Sequence, residues 1–273
     1  MNNIYITGAD CNYFFSAVIL LQAFKEYCRN RKLWICDFGL NKEQQRLLTH
    51  AGCLIQKPDM LQDRLHPWIY KSSIIHYLKN MSFDSVVWLD SDAFIVGPFA
   101  DRAESIISKF SLYKDSVAIC RGKKGTHWDV ASPKENIKYF NMPSGYPYFN
   151  SGIWILRSQK VLEEWAKHII AVPKKGMFEQ DAFNYLLYKY NVEICLLKND
   201  IWNVTHDSLK KLQMNKDGSF SLNNEQVLII HLTGKFDLLK ISIGLYNGFI
   251  RTIDNQHVKE KQIQLLQKWM SAF

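Results

Sequence analysis

No apolar run in this 273-residue chain is long enough to cross a bilayer. The longest, Tyr13 to Phe24, is broken by Ser16 and Gln22, whereas spanning a hydrocarbon core takes roughly 20 apolar residues in helix. No basic leader precedes it, because Met1-Asn2-Asn3 runs straight into a β-rich stretch. A soluble, cytoplasmic protein is therefore expected, with no secretory signal. Glycine (13) and proline (7) are too sparse for a collagen-like or low-complexity chain. The six cysteines (Cys11, Cys28, Cys36, Cys53, Cys120, Cys195) form no C-x-x-C pair, and none stands at zinc spacing from a histidine. Such scattered thiols read as buried, reduced hydrophobes, not as a zinc or disulfide framework.

What is present is core-forming. Hydrophobic residues make up 47% of the chain, and a chain of this length buries about 75% of its unfolded surface. That suits one large α/β domain or two small ones. Lys and Arg (34) exceed Asp and Glu (26), giving a net charge of +8. A basic balance favours nucleic acid, anionic membrane surfaces or phosphorylated small molecules. The basic residues occur only in short groups: Arg29–Lys32, Arg121–Lys124, Lys174-Lys175 and Lys210-Lys211. No zinc finger, aromatic RNA-binding signature or basic heptad region accompanies them, so a nucleic-acid partner is not expected.

Apolar strand-like runs alternate with segments of helical spacing. Strands are predicted at Ile4–Thr7, Leu33–Cys36, Ser85–Leu89, Val117–Cys120, Ser151–Leu156, Val192–Leu197 and Val227–Ile230. Helices are predicted at Tyr13–Tyr27, after an Asn41/Gln44 cap, at Trp68–Leu78, Arg102–Phe110, Ser158–Ile170 and Phe178–Tyr190. This alternation predicts an α/β fold with a mixed, mainly parallel sheet flanked by helices. Arg121 to Phe149 reads as one long loop, and long loops in compact domains are usually functional. Residues 1–250 are expected to form one catalytic domain. The segment 251–273 ends in an amphipathic helix, His257–Phe273, that docks on or extends that domain. Such a helix also leaves open a weak peripheral association with an inner-membrane surface.

The most informative segment is Val86-Val87-Trp88-Leu89-Asp90-Ser91-Asp92. An apolar strand ends in two carboxylates one residue apart. Side chains at i and i+2 of an extended chain point to one side, and strand carboxyl ends are where α/β sheets bind ligands. Two hard oxygen donors suit Mn²⁺ or Mg²⁺ better than zinc. The plainer reading is a solvated acidic turn.

In order along the chain come Thr7-Gly8-Ala9-Asp10-Cys11-Asn12-Tyr13, Asp90-Ser91-Asp92, Asn150-Ser151-Gly152, Glu179-Gln180-Asp181 and His231-Leu232-Thr233-Gly234. This ordered set resembles the GT-A glycosyltransferases, and most of all the retaining glycosyltransferase family 8. That family includes bacterial lipopolysaccharide galactosyl- and glucosyltransferases and glycogenin. The resemblance implies a GT-A, Rossmann-like nucleotide-diphospho-sugar transferase fold. It also implies a UDP-sugar donor, a Mn²⁺ or Mg²⁺ cofactor, and transfer of a hexose to a glycan or lipid-linked glycan hydroxyl with retention.

The resemblance further implies a role for each residue. Asp90, Asp92 and His231 would hold the metal, with Ser91 between the carboxylates. Thr7, Asp10, Asn12 and Tyr13 would face the nucleotide; Asp10 and Asn12 could equally cap the helix that follows. Lys71 matches a basic position before the Asp-x-Asp strand, and also reads as a solvated helix lysine. Asn150 would bind the donor sugar, Gln180 would lie beneath the anomeric carbon, and Asp181 would hold sugar hydroxyls. Glu179 stands where the family usually has Asp. Gly234 and Lys235 would meet the diphosphate, although the family's lysine usually comes three residues after the glycine. The loop aromatics His127, Trp128, Tyr139, Phe140, Tyr146, Tyr148 and Phe149 offer an acceptor wall, or simply pack the loop down. Alternatives are an inverting GT-A enzyme, a sugar-1-phosphate nucleotidylyltransferase, and a non-catalytic nucleotide-sugar or nucleic-acid binding protein.

Overall fold

The computed structural model describes residues 2–62, 65–110, 115–122, 126–233 and 255–272, without the side chains of 206 and 207. Eight strands in chain order come first: β1 (Asn3–Ala9), β2 (Leu33–Asp37), β3 (Leu54–Ile55), β4 (Ser85–Leu89), β5 (Ala93–Ile95), β6 (Ser116–Arg121), β7 (Phe149–Arg157) and β8 (Glu193–Leu197). Then follow β9 (Gln213–Met214), β10 (Phe220–Leu222), β11 (Glu225–Gln226) and β12 (Ile229–His231). The main sheet has the order β3-β2-β1-β4-β7-β6-β8. β1 pairs in parallel with β2 and β4, and β6 with β8, while β7 runs antiparallel to both β4 and β6. The expected mixed, mainly parallel sheet is therefore found, with β7 its reversed member.

The central strands are apolar on both faces because helices cover both. Tyr5, Val87, Leu89, Ala118, Ile153 and Ile155 enter one core cluster. Their sequence neighbours Ile4, Ile6, Val86, Trp88, Val117 and Trp154 enter the other. This is the two-residue alternation of a pleated strand. The helix Phe14–Tyr27 lies in the first cluster, and Gln159–His168 and Phe178–Lys189 in the second. The caps read from sequence are present. Asn41 and Gln44 form a reciprocal capping box, and Ser158 accepts from the Val161 N–H.

Three expectations are corrected. Trp68–Leu78 is two short helices, Pro67–Ser72 and Ile74–Tyr77, divided at Ser73. There the Ser72 hydroxyl donates back to the Trp68 carbonyl (2.8 Å), a bond that competes with the helical ladder. The loop from Arg121 to Phe149 contains two helices, Trp128–Ala131 and Lys134–Phe140. Two thiols escape burial: Cys11 is exposed and Cys195 half-buried. β5, three residues long, matches no strand predicted from the sequence. It pairs antiparallel with β12 in the register Ala93–His231. This two-stranded ribbon carries a residue from near the chain's end to the Asp90-Ser91-Asp92 turn.

The helix Gln256–Met270 packs on Phe14–Tyr27, with Trp269 edge-on to Phe14 (5.7 Å) and Lys261 paired with Glu26 (2.8 Å). Its apolar face (Val258, Leu265, Leu266) is buried, while Gln256, Glu260, Gln264 and Lys268 face outward. The expected boundary at residue 250 lies outside the described residues. Among the described residues no helix is long and apolar enough to cross a membrane.

Candidate active site

β4 ends at Leu89, and the Asp90 N–H is held by the Gly152 carbonyl on the neighbouring strand (2.7 Å). The chain then turns, with Ala93 N–H bonded to Asp90 C=O (2.8 Å), and re-enters as β5. Because β5 pairs with β12, His231 faces this turn. Its Nε2 lies 3.3 Å from Asp92 Oδ1 and 3.8 Å from Asp90 Oδ2. The three ligand atoms all lie within 4.8 Å of one another. Adjacent ligands on an octahedral ion with bonds near 2.1 Å sit roughly 3 Å apart, so the set fits a small divalent cation. His231 Nδ1 meets Asn203 Oδ1 at 2.8 Å, which orients the ring with Nε2 toward the carboxylates. Burial works against a charged His231, but Asp92 and Asp90 outweigh it and hold the imidazole above its usual pKa.

Gly152 completes this nest. A Cβ there would lie 2.2 Å from His231 Cε1 and 2.9 Å from both Asp90 Oδ2 and Asn150 Oδ1. The glycine of the Asn-Ser-Gly segment is thus the space that the ligands fill. Two carboxylates, an imidazole and a side-chain-free wall together suit Mn²⁺ or Mg²⁺.

Behind the carboxylates lies a buried ion-pair network. Lys71 Nζ, on the helix Pro67–Ser72, meets Asp90 Oδ1 and Glu179 Oε1, each at 2.9 Å, and Ser151 Oγ at 3.2 Å. Burial would depress the Lys71 pKa, yet Asp90 and Glu179 together hold it above the ordinary lysine value. Burial pushes the Glu179 carboxyl up, and Lys71 pulls it partly back. Lys71 is therefore neither solvated nor isolated. Glu179, 1% exposed, spends its carboxylate on Lys71 and Ser151. Gln180 Oε1 accepts from the Ser151 N–H (2.8 Å), tying the start of the helix Phe178–Lys189 to the start of β7.

These groups line a cleft of about 410 Å³, whose walls also carry Asp10, Tyr13, Ser91 and Asn150. The structure thus brings together Asp10, Tyr13, Lys71, Asp90, Ser91, Asp92, Asn150, Glu179, Gln180 and His231. Thr7 does not join them, being fully buried within β1. Asn12 is exposed at the turn, where its N–H and that of Tyr13 bond Asp10 Oδ1 (2.9 and 3.0 Å). Asp10 therefore caps the turn and also lines the cleft. Gly234 and Lys235 lie outside the described residues.

Asp181 also lies off the cleft. It is fully buried and accepts from Ser132 Oγ (2.6 Å), Tyr148 OH (2.5 Å) and Asn136 Nδ2 (2.5 Å). All three donors belong to the segment 126–149, so the carboxylate fastens that segment to the domain. The physical reason is helical geometry. Glu179, Gln180 and Asp181 are successive residues about 100° apart around the axis, so Asp181 points about 200° away from Glu179 and leaves the side that Glu179 and Gln180 present to the cleft. Burial pushes the Asp181 carboxyl up, and the three donors partly offset it. Of the loop aromatics, Trp128, Phe140, Tyr148 and Phe149 are buried, His127 and Tyr146 are half-buried, and Tyr139 is exposed. Most of them pack the loop down.

Sequence reasoning missed Trp88, Asn203 and the role of Gly152. Trp88 carried a signal, its i, i+2 spacing from Asp90. Asn203 carried none.

Among solved structures, the chain is similar to a galactosyltransferase, LgtC, crystallised with donor and acceptor sugar analogs. The TM-score is 0.62 at 13% identity, over 98% of this chain and 96% of that one. The fold is that of the GT-A glycosyltransferases. A second GT-A relative in fold is the glycosyltransferase GlyE of Streptococcus pneumoniae TIGR4, with a TM-score of 0.60 at 15% identity over 100% of this chain and 64% of that one. The bifunctional glycosyltransferase WbbM matches with a TM-score of 0.56 at 15% identity over 85% of this chain and 46% of its own. No protein-family model matches the chain, and no curated protein matches it by sequence. In this GT-A sheet the cleft lies at the carboxyl ends of β1 and β4, where open α/β sheets bind ligands.

Proposed function

We propose that this protein is a metal-dependent glycosyltransferase that moves a hexose from a UDP-sugar to an acceptor hydroxyl of a glycan or lipid-linked glycan, with retention. The observation that carries the reading is the convergence of Asp90, Asp92 and His231 at one wall of the 410 Å³ cleft. The GT-A fold supports the choice of reaction, and the cleft falls in the size range of small-molecule sites.

The chain's own residues divide the work. Asp90, Asp92 and His231 hold Mn²⁺ or Mg²⁺, which supplies charge neutralisation at the donor diphosphate. Asp10 and Tyr13 face the nucleotide, and Asn150 the donor sugar. Gln180 lies beneath the anomeric carbon, where an uncharged amide is a poor nucleophile. The step is then same-side substitution: the bond from C1 to the diphosphate oxygen breaks and the bond from C1 to the acceptor oxygen forms. The acceptor's proton passes to the departing diphosphate oxygen. Lys71 balances the carboxylates of Asp90 and Glu179 at the floor of the cleft. Glu179 acts through Lys71, and Asp181 anchors the loop. Gly234 and Lys235 retain the diphosphate role that the family resemblance implies.

Thermal unfolding with UDP, GDP, ADP and CMP, each with and without Mn²⁺, tests the donor site. At about 100 times the dissociation constant a ligand stabilises by roughly 2.7 kcal/mol, raising Tm by about 5–11 °C. The expected shift needs UDP and Mn²⁺ together. No shift with any nucleotide would refute the reading and favour the acidic-turn alternative. A product of inverted anomeric configuration, seen by NMR, would overturn same-side attack.

A further inference from the structure

The two oxygens of Asp90 have different neighbours. Oδ1 accepts from Trp88 Nε1 at 2.7 Å and from Lys71 Nζ at 2.9 Å. Oδ2 lies on the side of His231 and of the space left by Gly152. We propose that Trp88 is a positioning residue for the metal ligand Asp90, its indole N–H engaging Oδ1 so that the carboxylate meets a divalent cation through Oδ2 alone. This inference rests on the metal-dependent reading above.

Three features make the indole the fixed partner and the carboxylate the one that is placed. Trp88 and Asp90 are two residues apart at a strand end, so both side chains leave the backbone on one side. The Trp88 ring is 1% exposed and stacks on both Phe38 (6.2 Å, 15°) and Trp154 (6.1 Å, 16°), contacts that hold its orientation. The bond is also charge-assisted, N–H to carboxylate, and so stronger than a neutral one.

The neighbouring ring gives the contrast. Trp154 Nε1 is buried in the same stack with no hydrogen-bond partner among the described residues, so ring packing by itself does not supply acceptors to these indoles. The pairing of Trp88 with Asp90 is specific. Lys71 holds the same oxygen from a second side with one of its three N–H donors, the other two meeting Glu179 and Ser151. A carboxylate using one oxygen takes one coordination position and leaves others for phosphate oxygens. Groups that orient a metal ligand in this way are typically worth 10- to 100-fold in metal affinity.

The test is Mn²⁺ affinity of the full chain without nucleotide, read from the EPR signal of free Mn²⁺. Trp88→Phe keeps an aromatic ring and removes the N–H; Trp154→Phe perturbs the same stack and removes an N–H with no partner among the described residues. Mn²⁺ affinity is expected to fall about 10-fold or more in Trp88→Phe and to stay within about two-fold in Trp154→Phe. Equal losses in the two variants, or none in Trp88→Phe, would overturn the positioning role. Should the unaltered protein bind Mn²⁺ only with UDP present, the same comparison is made at saturating UDP; failure to bind Mn²⁺ under either condition would overturn the metal-dependent reading itself. Should Trp88→Phe not fold, the indole N–H resonances of the unaltered protein decide. One indole signal that shifts both in Asp90→Asn and on titration with Mg²⁺ supports the inference, and the absence of any such signal overturns it.

Discussion

Gly152 and His231 are matched in space: the imidazole Cε1 stands 2.2 Å from where a Cβ on Gly152 would be. His231 is 3% exposed, and its Nδ1 is tied to Asn203, so it cannot step aside freely. Gly152→Ala should therefore displace His231 or Asp90. Overpacking of this kind costs about 1–3 kcal/mol, and weaker Mn²⁺ binding should accompany it. Thermal unfolding and a Mn²⁺ titration check both effects; unchanged Mn²⁺ affinity in Gly152→Ala would mean that the metal does not sit in this nest.

Asp181 should behave as a fastener. Asp181→Ala leaves Ser132, Asn136 and Tyr148 without their acceptor, and each buried unsatisfied polar group costs about 1–3 kcal/mol. A loss on the order of 3 kcal/mol corresponds to a Tm drop of roughly 6–12 °C. The folded-state pKa of Asp181 is raised from 3.8. Its contribution is thus fully present below that value and is lost as pH rises through the raised one. The Tm difference between the unaltered protein and Asp181→Asn should accordingly fall with rising pH across that window. Melting curves between pH 4 and neutrality, from roughly the ordinary carboxylate range upward, check this; a pH-independent difference would show that the carboxyl does not titrate there.

Gln180 lines the cleft with its carbonyl held by the Ser151 N–H. If it stands under the reacting carbon, Gln180→Ala should lower kcat by about 10²-fold, the scale of losing one transition-state contact. UDP affinity should change far less. Steady-state kinetics beside UDP calorimetry separate the two, and parallel losses in both would reduce Gln180 to a binding residue.

The helix Gln256–Met270 should be part of the domain's core. Leu266 is fully buried, and Leu266→Ala should cost about 2–5 kcal/mol, a Tm decrease of roughly 4–20 °C. Gln264, on the outward face of the same helix, should tolerate Ala within about 0.5 kcal/mol. Similar Tm values for the two variants would mean that the helix is not docked in solution.

Two kinds of information were written in the chain itself. Local periodicity gave the strands β1, β2, β4, β6, β7 and β8 and the long helices to within a few residues. Burial on both faces of a sheet needs continuous apolar runs, and helices need capped, periodic ones. The carboxylate pair was legible for the same reason, since residues 90 and 92 must share a side wherever the backbone is extended. Contacts between distant segments were not legible. β12 overlaps the strand predicted at Val227–Ile230, but β5 has three residues, too few for any period, and only its pairing with β12 carries His231 to Asp90 and Asp92. Asn203 reaches His231 across 28 positions and belongs to no pattern. Sequence order could name Gln180 and Asp181 together. Only the packing of their helix could turn one toward the cleft and the other into the loop, because adjacent helical side chains point about 100° apart and the surrounding core decides which of them is covered.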